Sequence, residues 1–206
     1  MQTQTNRSSH TENELPAVAA IITHEVEDYP RWKRAFDGHA GTRKQAGIFV
    51  THINHSAENP NLLTVYVGAR DADQLGAFLS SSDLKNSMKD ATVKGPPQIA
   101  LVNPVEDMTQ RRPLAGAVVI HAIADFDTWK AAFDAHAVTR AEAGVIGHAV
   151  NRSVENPNLV VVYLQCESLD DLKTYTSSSD LKAIMKNAGV QGRPDIKFVN
   201  AGSWGN

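Results

Sequence analysis

Two stretches decide the fold when laid side by side: Trp32–Gly47, "WKRAFDGHAGTRKQAG", and Trp129–Gly144, "WKAAFDAHAVTRAEAG". They share Trp, Lys, Ala, Phe, Asp, His, Ala, Thr, Arg, Ala and Gly at a constant offset of 97 residues. The match extends outward without a gap, through His24 and His121, "ENPNL" at 58–62 and 155–159, Tyr66 and Tyr163, "SSSDLK" at 80–85 and 177–182, to "VN" at 102–103 and 199–200. Roughly 40 of about 87 aligned positions are identical, far above chance, so the chain is one unit written twice, Ala17–Asn103 and Leu114–Asn200. Copies of this length are self-contained domains rather than solenoid repeats. Between them Pro104–Pro113 is polar with proline at both ends and reads as a linker. The domain reading is therefore a tail over 1–15 that adds no strand, copy one over 16–103, a linker over 104–113 and copy two over 114–206.

Within copy one, the β-branched run Val18–Thr23 predicts a strand. Asp28 is placed to cap a helix, Pro30 fits its first turn and Gly47 its end, so a helix is predicted over Tyr29–Ala46. Ile48–Asn54 and Leu62–Ala69 read as two strands of a hairpin joined by "SAENPN". A helix over Asp73–Leu79, a helical turn over Ser82–Ala91 and a strand over Gln98–Asn103 complete the unit. The order β-α-β-β-α-β is the ferredoxin-like arrangement, an α+β fold whose four-stranded antiparallel sheet carries helices on one face. The other face needs a cover. A tandem copy supplies one at high effective concentration, which predicts an intrachain pseudo-dimer with sheet packed on sheet; a further homodimer of such chains stays open.

The composition narrows function. Twenty Lys and Arg against 23 Asp and Glu give a net charge of −3, without the basic excess that draws a protein to nucleic acid or to an anionic membrane. Cys166 is the sole cysteine, so no intramolecular disulfide forms and no thiolate metal cluster is possible. The polar start of the chain lacks a signal-peptide core, and no run of about 18 apolar residues could span a bilayer, which points to a cytoplasmic location. Nucleophile-elbow, P-loop and dinucleotide fingerprints are missing too, so hydrolase, kinase and NAD-enzyme readings have no support. A small-molecule ligand is the remaining expectation.

The topology, the "W---F--H---R---G" helix, the "ENPN" hairpin and the "SSSDLK" segment resemble the dimeric α/β-barrel superfamily, and within it the antibiotic-biosynthesis-monooxygenase-like branch. The resemblance covers nearly all of both copies. It implies two ferredoxin-like domains closing an α/β barrel, with a pocket in each domain between its own sheet and helices. It also implies the range of that superfamily: cofactor-independent oxygenases of polycyclic phenols, haem-binding or haem-degrading proteins, isomerases and cyclases. The implied activity is that of a cofactor-independent monooxygenase acting on an apolar aromatic or carbonyl compound; the alternative is a non-catalytic protein that binds a small molecule or haem in the same pocket.

At 100° per residue Trp32, Phe36, His39 and Arg43 fall on one narrow helical stripe, repeated as Trp129, Phe133, His136 and Arg140. An arginine among aromatics needs a partner or a wet cavity. It either ends the helix, bonding its last carbonyls or a carboxylate such as Glu58, or forms the polar end of an apolar pocket. In the oxygenase reading His39 and His136 are acid/base candidates, and Arg43 and Arg140 stabilise an anion. Trp32, Phe36, Asn54, Tyr66, Trp129, Phe133, Asn151 and Tyr163 are the substrate-binding candidates, the asparagines serving only if they face the helices. His24 and His121, at the end of the first strand, are pocket-mouth residues, the first haem-ligand candidates, or plain surface histidines. A metal site from His24, His39 and His52 is disfavoured because Ala149 replaces the third member in copy two. No metal or organic cofactor is expected, with haem and metal left open. The "SSSD" segments offer an anion seat or ordinary caps, and Cys166 a buried, inert thiol.

Overall fold

The computed structural model describes residues 15–200 and the backbone of Trp204–Gly205. The expectation that 1–15 adds no strand falls, but for Leu15, outside the described residues. Copy one runs β1 (Val18–Val26), α1 (Tyr29–Gly38), α2 (Ala40–Gln45), β2 (Ile48–Ser56), β3 (Leu62–Ala69), α3 (Ala72–Ser80), α4 (Ser82–Asp90) and β4 (Val93–Asp107). Copy two repeats it as β5 (Ala115–Ile123), α5 (Phe126–Ala135), α6 (Ala137–Glu142), β6 (Val145–Ser153), β7 (Leu159–Cys166), α7 (Leu169–Ser177), α8 (Ser179–Asn187) and β8 (Val190–Asn200), followed by β9 (Trp204–Gly205). Among the described residues no helix is long and apolar enough to cross a membrane.

Local chemistry sets the boundaries. Asp28 accepts from Arg31 N at 2.9 Å with Pro30 in the first turn, and Asp125 accepts from Thr128 N at 2.9 Å. Gly47 and Gly144 leave α2 and α6 at φ 78° and 86°, a conformation natural only to glycine. The single predicted helix Tyr29–Ala46 is in fact two, because the chain turns at His39 (φ −86°, ψ 4°), which closes α1 and opens α2; His136 does the same between α5 and α6. In the hairpins Asn59 Oδ1 accepts from Asn61 N at 3.0 Å and Asn156 Oδ1 from Asn158 N at 3.0 Å, the side-chain turn that "ENPN" provides.

Every neighbouring strand pair is antiparallel, and the order β3-β1-β4-β6-β7-β5-β8-β2 closes on itself through β2 and β3. The two sheets thus join edge to edge into one eight-stranded barrel rather than stacking as separate layers. Closure gives each of these eight strands a neighbour on both sides, which removes the open edges that invite aggregation. One seam pairs Val102–Asp107 of β4 with Ser153–Ala149 of β6; the other pairs β8 with β2 at His55↔Asn200 and Ser56↔Val199, and β9 continues it at His52↔Trp204. β4 therefore runs through Pro104 to Asp107, four residues into the stretch read as linker. A register shift between Pro104 and Glu106 accommodates the proline, which has no N–H to give the ladder.

The strands alternate between two environments. Ala20, Ile22, Ile53, Val65 and Val67 pack with Trp32, Leu75 and Phe78 under the copy-one helices; Ala117, Val119, Val150, Val162 and Leu164 pack with Trp129, Leu172 and Tyr175 in copy two. The opposite faces of both sheets meet inside the barrel, where Ala19, Val102, Val118, Val161, Tyr163 and Val199 form a third cluster.

Candidate functional site

Each copy holds a cavity between its sheet and its helices. His24 lies on the helix side of β1, and α1 lays Trp32 beside it at 5.5 Å between ring centroids; Phe36 then stacks on Trp32 at 5.0 Å and 23°. Copy two repeats the ladder, His121 to Trp129 at 5.6 Å and Trp129 to Phe133 at 5.2 Å. A guanidinium ends each ladder, Arg43 lying 3.6 Å over Phe36 and Arg140 3.7 Å over Phe133. The break at His39 makes this possible, since it swings α2 so that Arg43 Nη1 donates back to the carbonyl of Phe36, as Arg140 does to Phe133. The partner is thus a terminal carbonyl of α1 or α5, not Glu58. Both arginines are about 95% buried, and burial pulls their pKa down. Each remains a cation in an aromatic box.

The histidines at the break differ between copies. His39 Nε2 sits 2.7 Å from Asp83 Oδ2, an ion pair across the mouth of the copy-one cavity when the ring is protonated. His136 instead places Nδ1 3.3 Å from the hydroxyl of Tyr175, and its buried Nε2 has no partner among the described residues. Desolvation, then the charge of Arg140, lowers the pKa of His136, while Asp180 raises it. Burial lifts the Tyr175 phenol to about 12, with Arg140 pulling the other way. His24 and His121 have both ring nitrogens buried and unpartnered among the described residues, and burial alone holds each at about 4. They are neutral, and they are buried rather than surface histidines. The cavities measure about 50 Å³ in copy one and 60 Å³ in copy two. In copy two an open groove of about 480 Å³ lies outside, and His136, Tyr175 and Leu181 line both spaces, so they form its neck.

Tyr175 was not among the expected site residues. The signal lay in the repeat itself, for the equivalent position is Phe78 in a segment otherwise kept.

Asn54, Asn151, Tyr66 and Tyr163 do not join the helical stripe. Ile53 of β2 faces the helices, so its neighbour Asn54 faces the barrel interior by alternation. There Tyr163 donates to Asn54 Oδ1 at 3.2 Å, His52 meets the Tyr163 ring edge-on at 5.5 Å, and a cavity of about 60 Å³ with polar and apolar lining remains. Burial raises Tyr163 to about 12 and holds His52 at about 4. The sheet separates these residues from both helix-side cavities, so the asparagines cannot orient a molecule bound there. It equally separates His52 from His24 and His39, which breaks up the three-histidine set. No group of three or more metal-ligating side chains occurs among the described residues. Cys166 is buried with Sγ 2.7 Å from Gly144 O, and burial raises its pKa. Haem does not fit either: His24 and His121 face tryptophan rings across cavities of 50 to 60 Å³, far narrower than a macrocycle.

The antibiotic biosynthesis monooxygenase family model matches residues 124–187, which run from α5 to the end of α8. No curated protein matches the chain. Similar solved structures include a candidate monooxygenase of Lactobacillus acidophilus, 12% identical over 92% of this chain and 96% of that one, at a TM-score of 0.65. An anthrone oxidase-like protein is 11% identical over 89% and 90%, at 0.62. A mutant chlorite dismutase of Candidatus Nitrospira defluvii is 14% identical over 91% and 93%, at 0.51. The chain is a tandem duplication with the dimeric α/β-barrel fold of monooxygenase-like proteins.

Proposed function

We propose that the chain is a small-molecule oxygenase that uses no cofactor and acts, in the helix-side cavity of copy two, on an aromatic compound with an acidic C–H conjugated to a carbonyl. One observation carries the reading: a neutral imidazole with a bare, buried Nε2 stands next to a buried guanidinium in a box of aromatic rings. Folding alone gains little from the bare nitrogen. An unpaired buried nitrogen costs about 1 to 3 kcal/mol, and such costs concentrate where a ligand completes the bonding. The family match to residues 124–187 and the anthrone oxidase-like neighbour support the same chemistry.

The steps follow from the arrangement. The flat part of the substrate lies on the Trp129–Phe133 stack, with the remainder in the outer groove, since a cavity of 60 Å³ is too small for a polycycle. His136 Nε2 takes the proton from the acidic carbon, and its lowered pKa keeps it free to do so at neutral pH. Arg140 stabilises the enolate charge at short range in a dry site. The carbanion gives its electron pair to O₂, forming a C–O bond; the proton returns to the peroxide, and loss of water leaves a carbonyl. In total CH₂ plus O₂ becomes C=O plus H₂O.

Oxygen uptake with a hydroxylated anthrone, followed together with quinone absorbance, tests this. One O₂ consumed per quinone, slowed about 100-fold or more in His136→Ala, is expected. Binding of the anthrone without catalysed uptake would make the protein a carrier of such molecules instead.

A further inference from the structure

Duplication frees two equal sites to become unequal, and the two cavities differ at the atoms that matter most. The aromatic ladder and the guanidinium are the same in both copies to within 0.2 Å in the distances compared. What differs is the wiring of the histidine at the helix break. In copy one Nε2 is tied to Asp83, and position 78 is a phenylalanine that meets the ring at 6.1 Å between centroids but offers it no hydrogen bond. In copy two the equivalent of Asp83, Asp180, accepts from Ser179 Oγ at 3.5 Å and has no bond to the ring, and Tyr175 stands where Phe78 did. Nε2 of His136 is left bare.

We infer that this chain has one working site, in copy two, and that Tyr175 is the residue that makes it so: its hydroxyl accepts Nδ1–H of His136 and donates its own proton to the substrate oxygen. The first half fixes the tautomer. An imidazole whose Nδ1–H is engaged presents a lone pair at Nε2, which is what a base needs; the opposite tautomer would present a hydrogen there instead. The second half follows from the hydroxyl's remaining proton and its place. Tyr175 lines the cavity and the groove beside Arg140, so the enolate oxygen would meet a phenol donor and a guanidinium together. Copy one lacks both halves. Its His39 has Nε2 committed to Asp83, and no donor replaces the phenol at Phe78. That copy supplies half of the barrel wall and a cavity whose helix-break histidine has its Nε2 tied to Asp83 rather than bare.

This inference rests on the oxygenase reading for its chemistry, yet its core can be read without any substrate. Nitrogen-15 histidine NMR of the full chain distinguishes the two neutral tautomers, and the His136 signal is assigned by its loss in His136→Gln. Wild type should show His136 protonated at Nδ1 and bare at Nε2; Tyr175→Phe, which installs the residue copy one already accommodates, should shift the equilibrium toward the other tautomer. A His136 ring protonated at Nε2 in the wild type, or one untouched by Tyr175→Phe, overturns the inference. With the anthrone, Tyr175→Phe should lower kcat about 100-fold with KM little changed. Reinstating the pattern in copy one, as Phe78→Tyr with Asp83→Asn on the Tyr175→Phe background, should recover turnover. Full turnover in Tyr175→Phe also overturns the inference, whereas no turnover in any variant with the tautomer as stated removes the substrate reading and leaves the tautomer assignment standing.

Discussion

Replacing Arg140 by methionine removes a cation while keeping most of the stem's packing, so it isolates what the guanidinium contributes to the fold. Two interactions are lost. The bond to the Phe133 carbonyl, which satisfies one of the last acceptors of α5, is charge-assisted and contributes about 1.5 to 3 kcal/mol. The stack over the Phe133 ring adds about 1 to 2 kcal/mol in a desolvated place. Against these stands the cost of burying the charge, visible in the downward pull on the Arg140 pKa. The net expectation is a loss of about 1 to 3 kcal/mol, which for a chain of this size lowers Tm by about 3 to 10 °C. Scanning calorimetry with urea unfolding measures it, and an unchanged m-value shows that only stability moved. Arg43→Met should cost a similar amount, and the two should add, because the residues lie under different helices with no shared partner. A Tm that stays level or rises in either variant would refute the structural role and leave ligand binding as the reason the arginine is there.

Three further outcomes are expected. Stability should fall with acid in a defined window: His24, His52 and His121 are held at about 4 against 6.5 when unfolded, so their contribution is complete above pH 6.5 and lost between 6.5 and about 4. Each adds about 3 kcal/mol to that slope, and His121→Phe should flatten it by one such share in urea midpoints measured across pH. Thr92, at φ 62°, occupies a left-handed position that copy two gives to Gly189 at φ 79°, so Thr92→Gly should raise stability by about 1 kcal/mol in chemical denaturation. Leu172, on the buried face of α7, should cost about 2 to 5 kcal/mol of stability on change to alanine, read as a drop in urea midpoint.

Much of this molecule is legible in its sequence because the repeat reports on itself. The caps Asp28 and Asp125, the glycines that end α2 and α6, and the "ENPN" turns recur at the same offset, and each works through atoms within three or four residues of itself. The helix stripe was legible for its aromatic ladder. The break at His39 was not, because Gly38 and Gly41 beside it become Ala135 and Val138 in copy two, which breaks at the same place, and the guanidinium that stabilises it acts seven residues away. Alternation placed Asn54 and His52 on one face of β2 but could not say which side the helices take; that depends on Ile53 being the better core residue. The extension of β4 past Pro104 was hidden for a similar reason, since its partner β6 lies in the other copy and leaves no mark in the local pattern.

The barrel also explains why the two cavities were free to diverge. Each seam is built from the end of one copy's last strand and the second strand of the other, and Asp107 on β4 corresponds through the repeat to Trp204 on β9, the two meeting Ala149 and His52 at equivalent rungs. A barrel made from two separate identical chains would bind these surfaces to one sequence, so every change in a cavity would occur twice. Joined in one chain, the copies need to agree only where they share wall. Val102 and Val199, kept in both copies inside the barrel, carry that agreement. The exchanges Phe78 for Tyr175 and Ser87 for Ile184 lie on the helix-side cavities instead, where one copy can change without disturbing the other. A buried phenol or a bare imidazole nitrogen costs stability wherever it is placed. Placing the phenol and the bare helix-break nitrogen once rather than twice halves that cost, and copy one, with its histidine tied to Asp83, supplies the other half of the barrel.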